Sequence, residues 1–317
     1  MPDDRDELLA HVATLYYYQD KSQQEIASTL DLSRSNVSRL LKEARERRIV
    51  EIYIRHPLRR VVHLEQQLRD RFGLREAGVV QSDLASDEWT LARAADLAAR
   101  LLDGALEHAS VLGISWGTAV HATVNSFAPR RRHDVEVVPL MGGVGPSDPS
   151  IDGPALAQRV ARRLTGRYRY LHAPLRVDDP DVVQGLLAQR NVAETLQLAR
   201  EADVALVGIG ALNQDMSSLL RAGYLSLDEF NAIKRSGAVG DICARHFDQA
   251  GHSAAHEFDD RLICVTLAEL QTIPTTIGVA CTPAKAAAIL GALRGGYLDV
   301  LVTDSATAEI VMQTDNA

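Results

Sequence analysis

The chain has 317 residues, more than one domain usually holds, so its length points to two. Hydrophobic residues at 46% and charged residues at 24% exclude a mainly disordered chain, and no apolar run is long enough to span a bilayer. A net charge of -8 argues against indiscriminate coating of nucleic acid, but it hides a local excess. Arg34, Arg39, Lys42, Arg45, Arg47, Arg48, Arg55, Arg59 and Arg60 are opposed over the same stretch only by Glu43, Glu46 and Glu51. A cationic module on an anionic body is the pattern expected of a DNA-facing arm.

In chain order, Leu8, Leu9, Val12, Leu15 and Tyr16 fall at helical spacing and predict a first helix with one buried stripe. Ser22-Gln23-Gln24-Glu25 is a capping box, in which serine and glutamate satisfy orphan backbone donors reciprocally. It starts a short helix that turns Ile26, Ala27 and Leu30 inward, and Asp31-Leu32 breaks it. Ser33 then caps a third helix whose Val37, Leu40, Leu41 and Ala44 follow the i, i+3, i+4, i+7 pattern. The opposite face carries Arg34, Ser35, Asn36, Ser38, Arg39 and Lys42, side chains suited to base edges and phosphates in a major groove. With Ser22 and Gln23 at the start of the preceding helix, these are the candidate DNA contacts. A generic three-helix bundle is the alternative; the agreement of cap, turn spacing and polar face favours a helix-turn-helix. Residues 49–54 alternate like a strand and are expected to form a wing, with Arg47, Arg48 and Arg55 lying along phosphates. Pro57 stops it, and Leu58, Val61, Val62, Leu64, Leu68 and Phe72 return to helical spacing. These signals divide the chain into a helix-turn-helix domain (1–56), a linker helix (57–74) that could join a dimer contact, and an effector domain (75–317).

From residue 75 onward, apolar β-rich runs alternate with amphipathic helical stretches. The strands are expected at 77–80, 111–115, 135–140, 168–172, 204–209, 263–266, 276–280 and 300–303. Continuous apolar strands between helices predict an α/β fold with a mainly parallel sheet covered on both faces, whose ligands sit at the carboxyl ends of strands. There, Leu112-Gly113-Ile114-Ser115-Trp116-Gly117-Thr118 runs from a strand into a helix. Gly117 permits close backbone approach, Ser115 and Thr118 offer hydroxyls, and the helix start offers free N–H groups to an anion. A plain strand-to-helix turn is the alternative, and the lack of Gly-x-x-x-x-Gly-Lys excludes a nucleotide P-loop. Met141-Gly142-Gly143-Val144-Gly145 follows another strand, its glycines suited to a backbone lying close to a ligand. In Cys281-Thr282-Pro283-Ala284-Lys285, Thr282 is placed as N-cap and Pro283 at the first helical position. Lys285 then opposes the helix dipole unless an anion binds there; a solvated lysine is the alternative. Asp241 is a lone carboxylate amid apolar residues, able to accept ligand hydroxyls or to serve a turn.

Other features carry less. Gly208-Ile209-Gly210 is too short for a dinucleotide fingerprint, since Asp215 stands where a third glycine belongs. His252 and His256 lack the context of a metal site, so neither metal nor cofactor is expected. Cys243, Cys264 and Cys281 are scattered, without a C-x-x-C pair, and read as small buried hydrophobes in a reducing compartment. The acidic, polar start is the opposite of a secretory signal, which makes the cytoplasm the expected location. There is no convincing carboxylate pair for acid-base work.

Taken together and in this order, several of these stretches resemble the SorC family of sugar-responsive bacterial regulators. They are Ser22-Gln23-Gln24-Glu25-Ile26-Ala27, Ser33-Arg34-Ser35-Asn36-Val37-Ser38-Arg39-Leu40-Leu41, Leu112 to Gly117, Gly237-Ala238-Val239-Gly240-Asp241-Ile242, and Lys285 with Ala292-Leu293-Arg294-Gly295-Gly296 and Leu301-Val302-Thr303-Asp304. The resemblance implies an effector domain like the sugar-phosphate isomerase, deaminase and CoA-transferase fold, without catalysis. It also implies a homo-tetramer or dimer of dimers on operator DNA, with no membrane partner. A sugar phosphate is then expected near Gly113, Ser115, Trp116, Gly117, Thr118, Gly142, Gly143 and Lys285, with Asp241 on its hydroxyls. Many relatives carry Gly-Gly where this chain has Cys281-Thr282, so side chains protrude there. The rival reading is a sugar-phosphate isomerase or deaminase-like enzyme with an added DNA-binding arm.

Overall fold

The computed structural model describes residues 4–47, 49–50, 58–82, 86–130, 134–143 and 152–315. The chain divides into two compact units, 1–55 and 56–317.

The first unit is built from helices α1 (Asp4–Tyr17), α2 (Gln23–Thr29) and α3 (Arg34–Glu46). Leu9, Val12, Leu15, Ile26, Ala27, Val37, Leu40, Leu41 and Ala44 form its core, on the periodicity the sequence carries. The capping box closes as expected: the Ser22 hydroxyl accepts the Glu25 N–H, while the Ser22 N–H reaches the Glu25 carboxylate at 2.8 Å. Asp31 takes a left-handed φ of 51°, which a short polar side chain tolerates, and turns the chain sharply into α3. Ser33 caps α3 by accepting the Asn36 N–H. Arg5 bonds Glu43 and Arg47 bonds Asp6, tying α1 to α3 and the residue that follows it. Of the expected wing, 51–54 lie outside the described residues, as do Arg48 and Arg55. Ile49 and Val50 pack on the three-helix core.

The second unit contains strands β1 (Glu76–Val80), β2 (Val111–Ile114), β3 (Glu136–Pro139), β4 (Arg167–Tyr168), β5 (Val204–Gly208), β6 (Gly210–Ala211), β7 (Ala238–Ile242), β8 (Arg245–Asp248), β9 (Thr275–Val279) and β10 (Val300–Asp304). Seven of them form a parallel sheet in the order β1-β10-β9-β5-β2-β3-β4. Alternate strand residues enter two separate cores, which is why these runs are continuously apolar. Ala77, Ala205, Val207 and Leu301 face one core with helices Val62–Phe72, Arg190–Arg200, Ala286–Arg294 and Ser305–Asp315. Val204, Leu206, Leu112, Ile114 and Val302 face the other, with helices Asp87–Ala105, Thr118–Ser126 and Gly153–Leu164. Helix Val62–Phe72 buries Leu64 and Leu68 and belongs to this second unit. Its buried Glu65 accepts the Val79 N–H at 2.9 Å and pairs with Arg60.

Three differences from the expected strands have physical causes. Residues 263–265 are buried, but Ile263 bonds Gly142 on one side and Leu175 on the other, and the stretch keeps only one isolated bridge, between Met141 and Cys264. Strand β4 is two residues long, because beyond Arg169 the chain leaves the ladder. And β6-β7-β8 form a small antiparallel sheet that the sequence does not announce. The β7–β8 hairpin turns through Cys243 and Ala244, both left-handed (φ 52° and 64°), where Asn-Gly or Asp-Gly would be the usual signal.

Candidate functional site

In the first unit the face of α3 opposite its core exposes Arg34, Ser35, Ser38, Arg39 and Lys42, with Asn36 half-buried. The Arg39 guanidinium donates to Asn36 Oδ1 at 3.0 Å, which holds one long cation over the N-terminal half of the helix. Ser22 is exposed and Gln23 half-buried at the start of α2. All eight sequence-derived candidates thus lie on or beside the two helices of the motif.

In the second unit a cavity of about 270 Å³ opens at the carboxyl ends of β2 and β5. From β2 the chain builds outward to β3 and β4, then returns to lay β5 on the other side of β2. Such a reversal leaves a crevice between two strand ends. Trp116, Gly117 and Thr118 form one wall, Gly208, Ile209 and Gly210 the floor, and Asp241, Cys243 and Lys285 the far side; Ser217, Ser218 and Arg221 close it.

Each wall has a local cause. Gly117 adopts φ 108°, open to glycine and strained for other residues, and sits as N-cap of helix Thr118–Ser126 with no side-chain cap bond. The first N–H groups of that helix therefore lack a side-chain acceptor. Ser115 lies beneath the cavity: it is buried, and its hydroxyl accepts the Gly208 N–H at 3.2 Å, pinning the two strand-end loops together. Gly210 faces the Asp241 carboxylate so closely that a Cβ there would lie 2.0 Å from Oδ1. Lys285 ends a short 3-10 turn, Pro283–Lys285, and its ammonium donates to the Ile209 carbonyl at 2.8 Å. The expected side-chain cap by Thr282 is absent. Thr282 takes φ 90°, its N–H donates to Asp304 Oδ2 at 2.8 Å, and its hydroxyl is buried without a partner. Asp304 also accepts from Ser82 and from the Thr307 hydroxyl and N–H, so one buried carboxylate fixes the loop that carries Lys285.

The electrostatics of the cavity are dominated by burial. Burial pushes the Asp241 carboxyl up to about 6, against the opposing pull of Lys285 and of the Ala244 N–H. Burial pulls Lys285 below the ordinary lysine range, with Cys281 and Asp241 acting the other way and the nearby Arg221 charge adding to the depression. Arg221 is held by the Asp215 carbonyl at 3.3 Å and the Ser218 hydroxyl at 3.2 Å. Two cations that disfavour each other thus line one cavity.

Of the sequence-derived candidates, Trp116, Gly117, Thr118, Asp241 and Lys285 meet in this cavity. Gly113 lies within β2, where a Cβ would press on Leu140. Gly142 and Gly143 are ladder-like contacts to Ile263 and Ala173, and a Cβ at Gly142 would strike the Pro174 carbonyl at 2.2 Å. Sequence reasoning missed Gly210, Ser217, Ser218 and Arg221. Only the Gly-Ile-Gly run carried a signal, and it reads more readily as a failed dinucleotide motif. Val144 and Gly145 lie outside the described residues, and no metal-holding cluster occurs among the described residues. No described helix is long and apolar enough to cross a membrane.

Comparison with known proteins gives concordant matches for both units. Residues 56–313 match the family described as "Putative sugar-binding domain", and residues 7–47 match "Sigma-70, region 4", a helix-turn-helix segment. The chain is 33% identical over 315 residues to the deoxyribonucleoside regulator of Bacillus subtilis, covering 98% of this chain and 99% of that one. It is also 33% identical over 308 residues to the sorbitol operon regulator of Klebsiella pneumoniae, covering 96% and 98%. The crystal structure of the full-length sorbitol operon regulator SorC superposes with a TM-score of 0.74 over 98% of this chain and 100% of that one. These relatives are named as regulators, not as enzymes.

Proposed function

The chain belongs to the SorC family of sugar-binding transcriptional regulators, and from that premise we propose that a phosphorylated sugar in the β2–β5 cavity controls its affinity for operator DNA. The observation that carries the phosphate is the convergence of Lys285, Arg221 and the uncapped start of helix Thr118–Ser126 on one cavity. An anion there relieves the mutual repulsion of the two cations and accepts the free N–H groups. Asp241, whose carboxyl is desolvated, gains most from ligand hydroxyls that donate to it. Trp116 offers an apolar ring to the carbon skeleton. Relatives named as a deoxyribonucleoside regulator and a sorbitol operon regulator support a small-carbohydrate effector.

On the DNA side, α3 lies in the major groove, with Arg34, Ser35, Asn36, Ser38, Arg39 and Lys42 toward bases and phosphates and Ser22 and Gln23 on the backbone. The protein works in the cytoplasm as a homo-tetramer or dimer of dimers. Paired recognition helices then require half-sites about one helical turn, or a multiple of it, apart. The effector acts only through a difference in affinity for the two arrangements of paired DNA modules.

The test is a titration with sugar phosphates, free sugars and polyols followed by tryptophan fluorescence. Trp116 lines the cavity at 6% exposure while Trp89, the other tryptophan, is 54% exposed, so their signals separate. Saturable quenching by phosphorylated sugars, lost in Lys285→Ala, is expected. Equal response to free sugars, or persistence in Lys285→Ala, overturns the phosphate assignment.

A further inference from the structure

A second cavity, of about 390 Å³, lies outside the site described above. One wall is helix Leu227–Arg235, whose Glu229, Ala232 and Ile233, with the following Ser236, fall at i, i+3, i+4 and i+7 and so share one face. The other wall is helix His256–Asp259 with its flanks, entered through Ala255 at a left-handed φ of 63°. Ile233 and Phe258 are buried and form an apolar floor, while Ala232 and Ala255 are too short to fill the space between the walls. Phe258 is held from two sides. The Arg176 guanidinium stacks over its ring at 5.2 Å, and the His246 ring meets it edge-on at 5.3 Å.

The charged side chains that line this cavity are not equivalent. Glu229 is committed: the Arg176 guanidinium bonds both its oxygens, and the Ser226 N–H donates to it at 2.9 Å. Arg261 is less satisfied, since its Nη1 stands 3.7 Å from Glu229 Oε1, beyond hydrogen-bond reach, and its Nε is buried without an acceptor. Glu257 is exposed and has no ion pair among the described residues, with Arg261 or any other cation. The cavity thus offers one cation and one anion that do not satisfy each other, above an apolar floor. An anion alone meets Arg261 but is opposed by Glu257, and a cation alone faces the reverse. A molecule carrying both charges pairs with both. Small-ligand pockets run from about 300 to about 1,000 Å³, so this volume suits one small molecule rather than a peptide segment.

We propose that this cavity is a second ligand site, for a small zwitterion with an apolar body, the chemistry of an α-amino acid with an aliphatic or aromatic side chain, and that its occupancy is felt in the first cavity. The connection is the β7–β8 hairpin. His246, against Phe258, lies opposite Asp241 in the strand register, and Arg245, opposite Ile242, donates to the Asp259 carbonyl at 2.7 Å. The interior between them is under-bonded: both ring nitrogens of His246, Asp259 Oδ1 and Arg245 Nε are buried without partners. A ligand that displaces Phe258 lets these atoms form other bonds, and Asp241 moves with its strand. The site and its ligand class stand apart from the sugar-phosphate reading; only the effect on the first cavity rests on it.

The experiment is calorimetric titration of the full-length protein with L-leucine and L-phenylalanine, and with isocaproate and isoamylamine, each of which lacks one of leucine's charges. Saturable binding of an amino acid is expected, at least about tenfold tighter than that of either analogue. Ala232 is exposed, so Ala232→Trp fills the cavity without disturbing the core and should abolish binding. Glu257→Gln should weaken it about tenfold, and Lys285→Ala, in the other cavity, should leave it unchanged. No binding of either amino acid, equal binding of isocaproate or isoamylamine, or binding that survives Ala232→Trp overturns the inference. A saturating amino acid should shift the dissociation constant of a sugar phosphate in the first cavity about fivefold, and an unchanged constant defeats the coupling. If no sugar phosphate binds the wild type, the sugar-phosphate reading fails and the coupling with it, while the calorimetry still decides the site.

Discussion

Replacing Gly210 by alanine adds one methyl group at the point where cavity floor and carboxylate meet. The new Cβ would lie 2.0 Å from Asp241 Oδ1 and 2.8 Å from its Cγ, whereas ordinary contact begins at 3.4 Å. The Gly210 backbone does not need a left-handed φ, so the cost is one of contact rather than conformation. The carboxylate must retreat by more than an ångström, away from the Ala244 N–H that supports it. Overpacking of this kind costs about 1–3 kcal/mol, and each kcal/mol lowers Tm by roughly 2–4 °C in a unit of this size. Thermal unfolding of Gly210→Ala, Asp241→Ala and the double variant measures it as a cycle. In the Asp241→Ala background the added methyl meets no carboxylate, so most of the penalty should vanish. The same Tm loss in both backgrounds would refute the claim that Gly210 is glycine because Asp241 stands against it.

Other consequences are equally direct. Asp241, with a folded pKa raised to about 6, contributes stability present below its unfolded value near 4 and lost as pH rises through 6. Asp241→Asn should therefore gain on the wild type between pH 4 and pH 7, by roughly 1–3 kcal/mol in urea unfolding. Asp259, raised to about 7 by burial against the pull of Arg245, shifts both proteins alike, so the difference between them is the readout; no difference sinks the reading. Asp304→Ala strands the Thr282 and Thr307 donors in the interior and should cost roughly 3 kcal/mol or more, with Tm as the check. Arg39→Ala should weaken operator binding and reduce the slope of log K against log salt by about 0.9; an unchanged slope removes it from the phosphate contacts.

How much of this was legible depended on how local its cause is. The capping box at Ser22 and the cap at Ser33 are satisfied within four residues, so α2 and α3 could be read directly from sequence. The strands β2, β5, β9 and β10 are apolar on both faces and announced themselves as parallel. The β7–β8 hairpin did not, because Cys243-Ala244 carries no turn signal and takes left-handed angles only under tertiary constraint. Thr282 reads as an N-cap, yet its N–H donates to Asp304, 22 residues on, and its hydroxyl makes no cap bond. The motif announces the Ser115 hydroxyl, but its bond from the Gly208 N–H comes from 93 residues away and carries no local signal. Arg221 enters the cavity on a four-residue helix without periodicity, so nothing in its neighbourhood marks it.

The central claim is a linkage between the cavity and the DNA-reading helix, and operator affinity measured by fluorescence anisotropy tests it most directly. Binding is followed with and without a saturating sugar phosphate found by the tryptophan titration, in wild type and in Lys285→Ala. The account predicts a shift of at least about fivefold in the wild type. In Lys285→Ala it predicts no shift, with effector-free affinity unchanged. A sugar phosphate that fills the cavity of the wild type and leaves operator affinity untouched would contradict it.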